Sequence, residues 1–232
     1  MIEQQLEIYP NIQFASDRSL LIKLGNEISR EIHERVLKFF VLITSARIRG
    51  LQSIHPAYNS ILITFDSFMI SHNEIKDKIK SLLTEERSVK TPPPEVIEIP
   101  VCYDEEFAPD ISIVAKRNSL TIEKVIQIHS QPEYLVYFLG FSPGFPYLGE
   151  MPKEIVTPRL LTPRLKVPAG SVAIGGDHTG IYPISSPGGW NIIGRTPLRL
   201  FSPENENPTL LKMSDRIKFV PITKKEFEQL KN

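Results

Sequence analysis

The sequence holds a single cysteine, Cys102, and no excess of charge of either sign. One thiol cannot close an intramolecular disulfide, so the fold must rest on its core, and a reducing compartment suits it. Lys+Arg and Asp+Glu both number 27. That balance argues against a general nucleic-acid binder, which needs a basic excess to displace counterions from phosphates. No apolar run approaches the roughly 20 residues of a membrane-spanning helix. The opening MIEQQLEIYP has acidic residues and lacks the apolar stretch of a signal peptide. The expectation is a cytoplasmic protein that engages neither membrane nor nucleic acid.

Proline and glycine are also scarce, but only in the first part of the chain. Of 20 prolines only Pro10 and Pro56 precede residue 91, and of 12 glycines only Gly25 and Gly50 do. The shift falls at TPPPE (91–95), where consecutive prolines favour an extended linker. The chain is therefore read as two domains, a small α+β domain over 1–90 and a mainly β domain over 91–232.

In the first domain SLLIKLG (19–25) alternates like a strand. Ile28, Ile32, Val36, Phe39 and Ile43 then form a helical stripe over 26–43, with Asn26 as the expected N-cap. Two apolar runs flank PAYN as a hairpin, and Ser71 with Glu74 has capping-box spacing ahead of a helix to residue 83. The order strand–helix–strand–strand–helix suggests an open-faced, ferredoxin-like sandwich, with 96–101 as a possible fourth strand. His33 and His72 read as surface histidines. The 5 histidines and the cysteine show no metal-ligand spacing.

After a strand at 96–104 and a helix at 121–130, the second domain breaks into short apolar runs separated by proline and glycine, the pattern of a β-barrel or sandwich. Residues 140–197 hold 10 of the 12 glycines and 9 prolines. Their charges are few: Lys153, Arg159, Arg164, Lys166 and Arg195 against Glu150, Glu154 and Asp177.

Ser142-Pro143-Gly144 is echoed by Ser186-Pro187-Gly188. Pro then Gly fits the centre of a type II turn, which can offer a serine hydroxyl and a backbone N–H together. Thr157-Pro158-Arg159 and Thr162-Pro163-Arg164 place two arginines on stiff backbone, suited to a carboxylate or phosphate. The candidate anion clamps are Arg164 and Arg195, then Arg159. Gly175, Gly176, Gly188 and Gly189 would let backbone approach a ligand. Asp177 and His178 are the acid/base candidates, although neighbours in an extended loop usually point apart. Ser142, Ser186 and Tyr147 could offer hydroxyls, while Phe141, Phe145 and Trp190 suit a groove or a subunit contact. There is no Walker-type phosphate loop, since no Gly-Lys pair occurs in the chain.

FLGFSPGFPYLG, the PR…PR…VPAGSVAIGG run, TGIYPISSPGGWNIIGRTPLRLF and a closing D-x-I-x-F-x-P-I together resemble the KipI/PxpB family. That family is the PxpB component of bacterial 5-oxoprolinase, formerly called an allophanate hydrolase component. The match is dense from about 96 to 222. The resemblance implies an α+β N-terminal domain followed by a mainly β, cyclophilin-like barrel. It implies a second cyclophilin-like subunit (KipA/PxpC) and a third (PxpA) as partners. The implied activity is ATP-dependent opening of 5-oxo-L-proline to L-glutamate, with ATP bound mainly by another subunit and no metal set in this chain. His178 stands where the family usually has glutamine, Glu150-Met151-Pro152 replaces Gly-Leu-Pro, and Ser214-Asp215 replaces Gly-Asp. Two alternatives accompany the resemblance. One is an inhibitor that binds a sporulation sensor histidine kinase. The other is a carboxyltransferase-like component acting on urea or allophanate, and the chain carries no Met-Lys biotin site of its own.

Overall fold

A computed structural model of the chain describes residues 9–84, 89, 91 and 96–231. Contacts divide the chain into two compact units, Met1–Pro93 and Pro94–Asn232. The proline run at 92–94 lies outside the described residues.

The first unit runs β1 (Asn11–Ser16), β2 (Ser19–Lys23), α1 (Arg30–Ser45), β3 (Leu51–Pro56), β4 (Ser60–Phe65) and α2 (His72–Leu83). Its antiparallel sheet has the order β1-β2-β4-β3. Leu20 and Ile22 of β2 and Ile61, Ile63 and Phe65 of β4 alternate into the interior and are buried, as are Val36, Phe39 and Ile43 of α1 and Ile75 and Ile79 of α2. The fourth strand is β1; residues 96–101 pair instead in the second unit. Helix α1 starts later than its apolar stripe suggests. Ser29, not Asn26, caps it by accepting from Ile32 N–H, which leaves Ile28 outside the helix and exposed. The capping box Ser71/Glu74 forms as expected. His33 differs from its expected surface position: it is buried on the inner face of α1.

The second unit is built on a closed barrel of β5 (Val96–Cys102), β6 (Glu133–Leu139), β7 (Pro146–Gly149), β9 (Ser171–Gly175), β10 (His178–Ile181), β12 (Asn191–Arg195) and β13 (Arg216–Ile222). Around the barrel the order is β10-β7-β6-β13-β5-β12-β9. Only the β5–β13 pair is parallel. Strands β8 (Arg164–Val167) and β11 (Ser186–Gly188) pair with each other as a separate flap. Helices α3 (Ile111–Arg117) and α4 (Ile122–Ser130) pack against the barrel, and α5 (Lys224–Leu230) follows β13. The α+β unit followed by a mainly β barrel is the expected fold class. Helix α3 and strand β1 carry no clear periodicity, so neither is evident from the sequence pattern.

The barrel core holds a buried imidazole. His129, on α4, stacks on Phe219 with ring centroids 4.4 Å apart. The Thr179 hydroxyl donates to the Ala173 carbonyl at 3.0 Å, so it accepts from His129 Nε2–H, also at 3.0 Å. Nδ1 is then free to accept the Tyr103 hydroxyl at 2.9 Å. The ring is satisfied only when neutral, and burial pushes its pKa down to about 3.

In the unfolded chain the same group titrates near about 6.5. Between those values the unfolded state binds the extra proton, so stability is intact above the upper value and falls as pH drops toward the lower one. The limiting slope is about 1.4 kcal/mol per pH unit. Urea-unfolding midpoints of wild type and His129→Gln, compared from pH 7 to 4, should show a slope shallower by about one proton in the variant. Equal slopes would mean that His129 is already charged in the folded chain.

Candidate functional site

An open groove of about 410 Å³ lies on the second unit. Its base is a set of edge-to-face aromatic rings. Phe145 meets Trp190 at 5.5 Å and Tyr182 at 5.3 Å, and Tyr147 meets Trp190 at 6.2 Å. Leu160, Pro163, Pro187, Gly188 and Gly189 wall it, and Phe141 and Arg159 complete the lining.

Local chemistry explains each placement. Phe145 N–H donates to Ser142 C=O at 3.0 Å, and Gly144 has φ +79. This is the type II turn read from Ser142-Pro143-Gly144, and it turns the chain from β6 toward β7. Phe141, just before it, has φ +63, unusual for a residue with a Cβ, and the residue is 65% exposed at the groove. The echo Ser186-Pro187-Gly188 is not a second such turn. It is strand β11, paired with β8, and Gly188 lacks the positive φ. The two motifs nevertheless contribute to one groove, Phe145 and Tyr147 from the first and Pro187 to Trp190 from the second.

The arginines sort differently from their sequence ranking. Arg195 donates from Nε to Ala169 C=O at 2.9 Å and so ties down the loop before β9. Arg164 pairs with buried Asp110, with Nη2 2.6 Å from Oδ1. Arg159 is the cation that lines the groove; its guanidinium lies 5.7 Å from the centroid of the Trp190 ring and makes no ion pair among the described residues.

Asp177 and His178 do meet, Oδ1 to Nδ1 at 2.6 Å, because the tight turn Gly176-Asp177 folds β9 back onto β10. Neither lines the groove, nor do Ser142, Ser186 or Gly176. Gly175 acts from beneath, since a Cβ there would stand 2.5 Å from the Trp190 ring. Sequence reasoning missed Tyr182, Leu160, Pro163 and Pro187, and it missed Asp110, which lies 54 residues from Arg164 with no local pattern to flag it.

Burial pushes the Tyr147 and Tyr182 hydroxyls up, with nearby Arg159 opposing it at both, so both stay protonated at neutral pH. The groove thus offers flat apolar faces, neutral hydroxyls and one cation. That set suits a small, flat, partly apolar anion. Among the described residues no His/Cys/Asp/Glu group could hold a metal ion, and no helix is long and apolar enough to cross a membrane.

Residues 10–211 match the family model for the carboxyltransferase domain, subdomain C and D. The chain is 40% identical over 230 residues to the 5-oxoprolinase B subunit of Bacillus subtilis, covering 95% of this chain and 96% of that protein. It is 47% identical over 159 residues to the protein of the same name from Haemophilus influenzae, 68% and 74% of the two chains. The solved structure of TTHA0988 superimposes with a TM-score of 0.78 at 36% identity, over 88% of this chain but only 40% of that longer one. Similarity to urea amidolyase is more distant, 25% identity over 255 residues with the Lachancea kluyveri protein, of which 13% is covered. The chain belongs to the carboxyltransferase subdomain C and D family and, within it, to the 5-oxoprolinase B subunits.

Proposed function

We propose that this chain is the PxpB component of an ATP-dependent 5-oxoprolinase, acting with a KipA/PxpC-like and a PxpA-like subunit to open 5-oxo-L-proline to L-glutamate. The observation that carries the reading is 40% identity to a 5-oxoprolinase component of the same kind across nearly the whole of both chains. Urea amidolyase similarity is too distant to bring a urea or allophanate substrate to this chain.

The groove's chemistry supports the reading. 5-Oxoproline is a flat lactam carrying one carboxylate. The carboxylate would pair with Arg159, and the ring would lie against Trp190 and Phe145. The neutral hydroxyls of Tyr147 and Tyr182 can donate to the lactam oxygen. An unstrained amide is a poor electrophile. Transfer of the ATP γ-phosphoryl group to its oxygen releases ADP and activates the carbon. Water then attacks, the ring C–N bond breaks, and further hydrolysis frees phosphate. Holding the ring in place is the groove's part in this sequence. ATP itself is assigned to another subunit, because this groove has one cation and no phosphate loop. Asp177–His178 is the chain's candidate for proton transfer, at the β9–β10 turn outside the groove lining. Fully exposed Leu161 and Leu165 flank the groove-wall residues Leu160 and Pro163 and are suited to subunit contact.

Coexpressed with the partner subunits, the chain should support formation of ADP and glutamate from 5-oxoproline, and omitting it should abolish both. A complete assembly that forms neither product sinks the proposal. In that assembly Arg159→Ala should raise KM for 5-oxoproline by about ten- to a hundredfold, the worth of one charge-assisted hydrogen bond, with a smaller change in kcat. Arg195→Ala should leave KM near wild type. An unchanged KM in Arg159→Ala would remove the carboxylate clamp from this groove.

A further inference from the structure

We propose that Asp110 is a positioning residue for the groove, acting through Arg164 to pin the β8–β11 flap to the barrel. Asp110 stands just before α3 and is 2% exposed. It is locked to barrel strand β12 by both its main chain and its side chain. Its N–H donates to Ile192 C=O at 3.0 Å, and its Oδ2 accepts Ile192 N–H at 2.7 Å. The remaining oxygen, Oδ1, accepts Arg164 Nη2 at 2.6 Å. Arg164 opens β8, and β8 pairs only with β11, outside the ring of barrel strands.

What the flap carries makes this pin consequential. Pro163 precedes β8, and Pro187 and Gly188 belong to β11; all three wall the groove. Gly188 sits directly on Tyr182, so closely that a Cβ would overlap the phenol. A shift of the flap therefore moves the groove wall over its aromatic base. Arg164 Nη1 is buried without a partner among the described residues, so Asp110 is the side chain that orients the guanidinium.

A buried carboxylate paired in this way is not needed for adhesion, because apolar side chains of similar volume often hold two surfaces together as well or better. Two short charge-assisted bonds on one carboxylate supply a fixed distance and direction between flap and barrel. The catalytic consequence rests on the groove being the 5-oxoproline site; the geometric consequence does not.

Trp190 is the chain's single tryptophan and lines this groove. Its fluorescence therefore reports the pin in the isolated full chain. Asp110→Asn and the more exposed Arg164→Met should each raise acrylamide quenching of Trp190 about twofold or more, with circular dichroism unchanged, and Arg164→Lys should recover part of the protection. In the assembly both variants should raise KM for 5-oxoproline roughly tenfold with less effect on kcat, as expected for a displaced binding wall. The double variant should add nothing further. Folded variants with wild-type quenching and KM, differing only in melting temperature, would overturn the proposal. If the wild-type assembly shows no 5-oxoproline activity, the functional reading fails and the quenching comparison alone decides the pin.

Discussion

Trp190 packs face-on against backbone that has no side chain. A Cβ at Gly175 would approach the indole to 2.5 Å, and one at Gly180 would come within 3.0 Å of both the indole and Phe145. The aromatic base of the groove exists because these barrel strands present bare main chain there. This constraint ties the composition of the second unit to its architecture. The glycines of 140–197 are more than turn formers; those in β9, β10 and β11 are the vacancies into which Trp190, Phe145 and Tyr182 fit. With those rings in place, the edge-to-face cluster leaves their remaining faces to the groove.

Two buried polar constructions hold the surroundings of that cluster in register. His129 bridges α4 to β10 through Thr179 and reaches Tyr103, just after β5, so the helix is fastened to two parts of the barrel by one neutral ring. Asp110 does the equivalent work at the flap with a charge. The difference in chemistry follows the surroundings. The imidazole is sealed among Phe219 and two tyrosines, where a charge would be costly. Arg164 is a third exposed, so the cost of keeping its charge is shared with water.

Where a feature depends on residues close in sequence, the sequence shows it. The Ser71/Glu74 capping box, the β3–β4 hairpin and the type II turn at 142–145 are each decided within four or five residues. Features decided by distant partners are not legible. Ser186-Pro187-Gly188 has the same letters as the first motif, but pairing with β8 draws it into a strand. Arg164 looks free until Asp110 comes to it across the fold, and Arg159 becomes the groove's cation because its neighbours are spent elsewhere. His33 looks like a surface residue because its polar side chain lies off the apolar stripe, but the buried face of α1 is wider than that stripe and takes in His33 and Leu37 beside Val36. The groove residues Phe141, Phe145, Tyr147, Gly188, Gly189 and Trp190 are legible because short aromatic runs between glycine and proline have few other uses.

The charge count of the groove limits what it can do alone. One guanidinium matches one carboxylate; a nucleoside triphosphate calls for several cations, and the lining offers one. The proposed reaction accordingly assigns the phosphates of ATP to groups outside this groove. Phe141 is consistent with that assignment. A left-handed backbone at a residue with a Cβ costs about 1 kcal/mol or more, and here the ring it presents is left mostly in water at the groove mouth. Within the chain it meets Phe145 edge-to-face at 5.5 Å and Tyr182 at 6.4 Å. A ring left largely exposed beside the groove would suit the subunit contact that the proposed assembly supposes.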